Sequence, residues 1–184
     1  QKCIVLYGIA LGMYKLHQNE IIHRDLKPQN ILLDDNLEPL ITDFELSKFV
    51  DPNQSMFQSM VVGTPYYMSP ESFSDETETN DDENKQKKYS YDGKLSDVYS
   101  FGMLVFYLMS GIQPWSNIKT HFVLMQKVND GKRPTIPDNV EKPVSELIQM
   151  CWQGAPKNRP PFDQICEIVS NPDFYANSNQ VFDQ

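Results

Sequence analysis

Apolar residues recur at helical spacing near the start of the chain and in four later stretches. Ile9, Met13 and Leu16 lie four and three residues apart, and this spacing predicts an amphipathic helix over residues 3–18. Residues 97–110 are apolar on almost every side, which predicts a helix buried in the centre of a domain. Three further stretches have the helical period and are bounded by Pro or Gly: 119–130, 144–153 and 162–170.

Three short apolar runs have the length of β-strands: residues 21–22, 31–33 and 40–41. Turn-forming residues 34–36 separate the last two runs, so we predict a β-hairpin there. Residues 45–68 show no periodicity and predict a long loop. Together with the helices, these runs predict an α+β fold that is mainly α-helical, with one small β-hairpin.

Two segments lack the apolar residues of a core. Residues 74–94 contain seven acidic residues and four lysines but no aliphatic residue, which predicts a solvated surface insertion. The alternative for this insertion is a regulatory or docking loop. Residues 171–184 form a polar tail, and residues 1–170 have the length of one domain.

Charge and cysteine content indicate which partners and which cellular compartment to expect. The net charge of −9 argues against nucleic acid or an anionic membrane as the main partner. No apolar run reaches the ~20 residues of a membrane span. Cys3, Cys151 and Cys166 form no CxxC motif and have no His at ligand spacing, which predicts reduced thiols and a cytoplasmic protein.

Residues with complementary chemistry follow the first helix closely. In HRDLKPQN, residues 23–30, Asp25 can accept the proton of a hydroxyl group and Lys27 offers a positive charge suited to a phosphate. Asn30 offers a neutral oxygen that suits Mg²⁺, and Asp43 adds a carboxylate after the hairpin. Phosphoryl transfer needs such positioning and charge from a protein, and little covalent chemistry.

These segments resemble the catalytic loop and the metal-binding Asp-Phe-Gly triplet of eukaryotic protein kinases. Three later motifs resemble the same family in the same order: SPE at 69–71, SDVYSFG at 96–102 and CWQGAPKNRPPF at 151–162. The resemblance covers residues 3–170 and implies the C-terminal lobe of a protein-kinase-like fold. Lys27 and the last two motifs are similar to those of the tyrosine-kinase-like group of Ser/Thr kinases.

The resemblance implies transfer of the γ-phosphoryl group of ATP, with Mg²⁺, to Ser or Thr of protein substrates. It implies that Asp25 is the base and that Lys27 contacts the transferred phosphoryl group. Asn30 and Asp43 would hold Mg²⁺ and, with Lys27, bind the nucleotide. The catalytic loop would span 23–30 and the activation segment 43–71.

Other family positions imply regulatory and structural roles. Arg24 would bind a phosphorylated residue of the activation segment, with Ser55 and Ser59 as candidates. Thr64 resembles the threonine that helps to select a Ser or Thr acceptor. Structural roles are implied for five residues: His23 and Phe44 by packing, Glu71 and Arg159 as a buried ion pair, and Asp97 by accepting hydrogen bonds from the catalytic loop.

The chain departs from the family pattern at Glu45, where kinases carry Gly. If the backbone at this position needs a positive φ angle, a side chain there costs ~1–2 kcal/mol. We also expect a second carboxylate beside Asp43 to change the affinity for a metal. Neither effect removes a catalytic group, so we expect a variant hinge beside complete chemistry.

The chain also lacks upstream kinase motifs, because no glycine-rich phosphate loop or strand lysine precedes residue 23, and GIALG at 8–12 lies in the first helix. We therefore expect the N-lobe to be absent from this chain and encoded upstream, and the chain alone to be inactive. The alternative is a pseudokinase or truncated lobe that acts as a binding or scaffold module.

Overall fold

The computed structural model describes residues 2–44, 47–49, 64–73 and 92–175. The α-helices within this part of the chain are α1 Lys2–Gln18, α2 Gly93–Ser110, α3 His121–Asn129, α4 Lys142–Cys151, α5 Phe162–Ser170 and α6 Pro172–Tyr175. Short 3₁₀ turns lie at Pro28–Asn30, Pro65–Tyr67, Pro70–Phe73 and Pro156–Asn158. None of the described helices combines the length and apolar character needed to cross a membrane.

The strands are short: β1 Ile21–Ile22, β2 Ile31–Leu33, β3 Pro39–Ile41 and β4 Lys48–Phe49. Strands β2 and β3 pair antiparallel with Ile31 opposite Ile41, so the predicted hairpin is confirmed. Strand β1 pairs antiparallel with β4, and Ile21 lies opposite Phe49. Strand β4 lies in the stretch predicted as a long loop, because two residues are too few to show alternation.

Helix α2 is buried on every side from Ser96 to Phe106 and packs against α1, α4 and β1. It ends at Gly111, whose φ of 72° lies in the left-handed region and whose N–H donates to the Tyr107 carbonyl at 2.8 Å. The predicted central helix is therefore confirmed, and its apolar circumference reflects its central position.

The start of α2 differs from the predicted start at residue 97. The helix begins at Gly93 because the Asp92 carboxylate accepts hydrogen bonds from the amides of Lys94 and Leu95. Residues 92–94 therefore belong to the helix and its cap rather than to the acidic insertion. Residues 74–91 lie outside the described part of the chain.

The beginning of the predicted polar tail is also part of the fold. Residues Pro172–Tyr175 form α6, which packs against α5, and Phe174 is buried. One aromatic side chain suffices to attach this turn to the core, although the surrounding residues are polar. Residues 176–184 lie outside the described part.

The hairpin approaches α1 closely where the helix carries two glycines. A Cβ atom at Gly8 would lie 2.5 Å from Cγ of Pro39, and one at Gly12 would lie 2.8 Å from Cδ1 of Ile41. The segment GIALG lies within α1, as predicted, and its glycines let β3 pack directly against the helix. This contact fixes the position of β3, which ends two residues before Asp43.

Candidate active site

Asp25 lies in the loop between β1 and β2, where four donors hold its carboxylate. Oδ1 accepts hydrogen bonds from the amide and the hydroxyl of Thr64, at 2.8 and 2.9 Å. Oδ2 accepts from Nζ of Lys27 at 2.5 Å and from Nδ2 of Asn30 at 3.3 Å. Lys27 also donates to the Thr64 hydroxyl at 2.9 Å. The carboxylate is buried and fixed in orientation, and a positive charge lies beside it.

Asp97, in the second turn of α2, holds the catalytic loop by accepting hydrogen bonds from its backbone. Its Oδ2 accepts from the amide of His23 and its Oδ1 from the amide of Arg24, both at 2.8 Å. These are the hydrogen bonds predicted for Asp97. His17 on α1 adds a third contact, with Nε2 at 2.9 Å from Oδ2. Arg24 has a φ of 71°, a conformation that costs ~1–2 kcal/mol and that the Asp97 contacts maintain.

His23 is completely buried, and both ring nitrogens have partners. Nδ1 lies 3.2 Å from the amide of Asp25, which donates to it. The ring proton is therefore on Nε2, which donates to the carbonyl of Thr42 at 3.0 Å. This arrangement agrees with the packing role predicted for His23.

Phe44 packs less completely than predicted. Its ring centroid lies 5.5 Å from that of His23, so one face is in contact with the site. Its side chain remains 47% exposed, because no described element covers its outer face. The expectation that Phe44 packs under the site therefore holds for one face only.

The chain that leads to Asp43 lies beside Asn30, because Thr42 contacts the Asn30 backbone. Thr42 donates its amide to the Asn30 carbonyl at 2.9 Å, which places the chain leading to Asp43 beside Asn30. Nδ2 of Asn30 donates to the carbonyl of Asp25 at 2.8 Å, so Oδ1 of the amide is the atom left to bind a ligand. The Asp43 side chain is exposed.

The donor set of Asn30 and Asp43 fits a hard divalent cation, because both side chains offer oxygen. The described residues contain no cluster of three His, Cys, Asp or Glu side chains that would bind a metal by themselves. A cation held here would therefore need further oxygen ligands from a bound phosphate or from water.

Glu71 and Arg159 form the predicted ion pair. Nη1 and Nη2 of Arg159 lie 2.5 and 2.9 Å from the two carboxylate oxygens of Glu71. Nη1 also donates to the carbonyl of Leu95 in the first turn of α2, at 2.9 Å. The pair therefore fastens the segment that follows Thr64 to the central helix.

Several predicted residues lie outside the described part of the chain. These are Glu45 and the two candidate phosphorylation sites, Ser55 and Ser59. The structure brings together Asp25, Lys27, Asn30 and Thr64. Arg24 precedes Asp25 on the same loop, and Asp43 lies on the stretch that follows β3.

Two features of the site were not predicted from the sequence: the contact of His17 with Asp97, and a group of three serines, Ser69, Ser72 and Ser96. His17 lies 80 residues from Asp97 in the sequence, and no local pattern signals a contact over such a distance. Ser69 lies in SPE, Ser72 directly follows that motif, and Ser96 lies in SDVYSFG, and both motifs are recognised from their other residues.

Comparison with known proteins agrees with this geometry. The family model of the protein kinase domain matches residues 3–169. A probable serine/threonine-protein kinase of Dictyostelium discoideum is 37% identical over 165 residues, which is 89% of this chain. The dual specificity protein kinase shkB of the same organism is 34% identical over 88% of the chain. A putative serine/threonine-protein kinase/receptor of Acanthamoeba polyphaga mimivirus is 33% identical over 92%.

The matched region is a small part of these relatives. It covers 9% of the first Dictyostelium protein, 23% of shkB and 10% of the mimivirus protein.

Proposed function

The chain belongs to the protein kinase domain family, and we propose from this that the protein transfers the γ-phosphoryl group of ATP to Ser or Thr of protein substrates. The observation that carries the proposal is the carboxylate of Asp25, held by Thr64, Lys27 and Asn30. Similarity to proteins described as serine/threonine-protein kinases supports the choice of acceptor. The motifs noted above favour the tyrosine-kinase-like group.

Each residue contributes a defined step. Asp25 accepts the proton of the acceptor hydroxyl as its oxygen attacks the γ-phosphorus atom, and the bond from that phosphorus to the bridging oxygen breaks, so that ADP leaves. Nζ of Lys27 lies within hydrogen-bond distance of Asp25 and Thr64, where its charge can stabilise the phosphoryl group in transfer.

Membership of the family implies ATP and a divalent cation, and we propose Mg²⁺. Oδ1 of Asn30 and the carboxylate of Asp43 would hold it. The ion would neutralise charge on the phosphate oxygens, as metal ions do in phosphoryl transfer.

Substitution of Asp25 by Asn tests the proposal. The amide keeps the shape of the side chain but accepts no proton, so we expect kcat for transfer to a protein substrate to fall by ~10²–10⁴-fold in the full-length protein. Asp34→Asn, in the turn of the hairpin, is the matched control and should retain activity. Persistent activity in Asp25→Asn would refute the role as base. A wild-type protein without transfer activity would favour the binding-module alternative.

Glu45 requires its own test, because it is the one departure inside the catalytic motifs. We propose that Glu45 alters the hinge without preventing catalysis. A rise of more than about tenfold in kcat for Glu45→Gly would contradict this, since it would mean that ~1.4 kcal/mol of transition-state stabilisation is lost in the natural protein.

We also propose that a second lobe, encoded upstream, completes the nucleotide site. Large apolar side chains are exposed on the first half of α1 and on the hairpin: Ile4, Tyr7, Leu32, Leu33 and Leu40. Several large apolar side chains exposed on neighbouring elements are typical of an interface. A lobe of ~80–100 residues would make the natural protein heavier than the 21.3 kDa of these 184 residues by ~10 kDa or more. The intact mass of the protein from its own cell tests this.

A further inference from the structure

Three serine hydroxyls meet between α2 and the turn at Pro70–Phe73. Oγ of Ser69 lies 2.7 Å from Oγ of Ser72 and 2.8 Å from Oγ of Ser96, and the last two atoms are 3.0 Å apart. Ser69 and Ser96 are buried, and Ser72 is half-buried. We call these three groups the hydroxyl ring.

The number of protons determines how these hydroxyls bond. Each hydroxyl has one proton to donate, and three oxygen–oxygen contacts need three donors. All three contacts are hydrogen bonds only if each serine donates to the next around a closed cycle. Such cycles are cooperative, because each bond polarises its neighbour. Removal of one hydroxyl therefore breaks two bonds and leaves a buried proton without an acceptor in the ring.

The hydroxyl ring holds residues 64–73 against α2. We call this segment the acceptor segment. Thr64 at its start contacts Asp25, and Ser69 and Ser72 near its end bond to Ser96 on α2. Ser100, one turn further along α2, donates to the carbonyl of Tyr67 at 2.9 Å.

Neighbouring residues of α2 hold the other half of the site. Ser96 takes part in the hydroxyl ring, while Asp97 accepts the amides of His23 and Arg24. One helical turn thus fixes both the acceptor segment and the catalytic loop. Since helix α2 is buried in the core, it holds the acceptor segment and the catalytic loop in fixed positions relative to each other.

We propose that the hydroxyl ring of Ser69, Ser72 and Ser96 is a positioning device, which keeps the acceptor segment in register with the catalytic loop. The catalytic consequence rests on the proposed function. The ring contacts no reacting atom. It acts by placing Thr64, and with it the surface on which a protein substrate lies, against Asp25.

The test compares Ser69→Ala with Ser110→Ala in the full-length protein. Ser110 is a matched control, because its hydroxyl donates to the Phe106 carbonyl near the other end of α2 and does not touch the ring. Ser72→Ala serves as a second ring variant, since its half-buried position makes it the mildest change. Amide hydrogen exchange is measured over residues 64–73, and steady-state kinetics are measured for a protein substrate and for ATP hydrolysis by water.

We expect both ring variants to speed exchange in the acceptor segment by about tenfold, which corresponds to ~1.4 kcal/mol. We expect kcat/KM for the protein substrate to fall by a similar factor. The KM for ATP and the rate of ATP hydrolysis should change by less than about twofold, because Asp97 holds the catalytic loop independently. Ser110→Ala should change neither segment exchange nor substrate transfer.

Unchanged exchange over residues 64–73 in both ring variants would overturn the proposal. Equal losses in protein phosphorylation and ATP hydrolysis would overturn it too, since they would indicate general damage to the domain. If the wild-type protein transfers no phosphoryl group, the proposed function fails, while the exchange rates still decide whether the ring holds the segment.

Discussion

At the scale of single residues, Arg159 shows how an ion pair and hydrogen bonds together stabilise a buried charge in this chain. Its side chain is completely buried, and it donates to both oxygens of Glu71 and to the carbonyls of Leu95, Gln153 and Gly154. Desolvation of a guanidinium group is costly, so the pair is stable only because these bonds are made together. Loss of one partner leaves the other charge buried and uncompensated.

We therefore predict that Glu71→Gln, which keeps the shape and removes the charge, lowers the free energy of unfolding by ~3 kcal/mol. Glu146→Gln is the control, because Glu146 and Lys142 are 60% and 87% exposed and 3.8 Å apart. Its effect should stay below ~0.5 kcal/mol. Urea unfolding measures both. Similar losses in the two variants would show that burial does not determine the strength of the Glu71 pair.

Two buried tyrosines allow a paired prediction. The hydroxyl of Tyr99 is buried without a hydrogen-bond partner in the described part of the chain, whereas that of Tyr67 accepts from Nε2 of Gln113 at 3.3 Å. Burial raises the pKa of both side chains, that of Tyr67 to about 12, so both stay protonated at neutral pH. Tyr99→Phe should raise the free energy of unfolding by ~1 kcal/mol, and Tyr67→Phe should lower it by ~1 kcal/mol.

Urea unfolding at pH 7.5 compares the two tyrosine variants. The ring of Tyr99 lies 5.0 Å from the guanidinium carbon of Arg133 and 5.1 Å from that of Arg159, and phenylalanine keeps both contacts. A loss of stability in Tyr99→Phe would mean that its hydroxyl contributes a favourable interaction.

At the scale of elements, the contact between α1 and β3 gives a prediction whose sign depends on packing. Alanine in place of a helical glycine gains ~1 kcal/mol from helix propensity. At Gly8 the added atom meets the rigid ring of Pro39, whereas at Gly12 it meets the flexible end of Ile41. We expect Gly8→Ala to lower the free energy of unfolding by ~1–3 kcal/mol.

Gly12→Ala is the comparison for this contact and should be nearly neutral, because a small rotation of Ile41 relieves the close approach while the propensity gain remains. The free energies of unfolding of both variants, measured in urea, test this prediction. If Gly8→Ala is as stable as Gly12→Ala, the hairpin moves away from α1 at little cost, and α1 does not fix the position of β3.

The same elements show what a sequence can and cannot predict. The periodicity of α1 and the turn residues between β2 and β3 are local signals, and both elements were predicted. The pairing of β1 with β4 joins Ile21 to Phe49, and the hydroxyl ring joins Ser69 to Ser96; such contacts depend on the chain path and leave no local pattern. The early start of α2 was not predicted, because Asp92 continues the polar composition of the acidic insertion and gives no separate capping signal.

The same difference between local patterns and long-range contacts applies to the candidate site. Asp25, Lys27 and Asn30 lie within six residues, so their shared chemistry could be recognised from spacing. Thr64 reaches Asp25 across 39 residues, and only the resemblance to the kinase family suggested that it belongs there.

At the scale of the whole molecule, the exposed apolar surface of α1 and the hairpin has to be explained. Leu32 and Leu40 lie opposite each other in the hairpin, and each is 54% exposed. A second lobe packed on this surface would bury them, and burial of a leucine side chain contributes ~1.5–3 kcal/mol. If the proposed second lobe covers this surface, the contribution of these residues to stability should depend on the presence of that lobe.

We predict that Leu32→Thr with Leu40→Thr lowers the melting temperature of the full-length protein by several degrees. A double loss of ~2–4 kcal/mol corresponds to a shift of that size in a large domain, and Thr preserves β propensity. The same change in the 184-residue chain alone should have a much smaller effect on stability and improve solubility, because more than half of each leucine is already exposed to water there. Phe122→Thr on α3, where Phe122 is 63% exposed, is the control and should act equally in both proteins. Equal effects of the double variant in both proteins would show that no upstream lobe covers the hairpin.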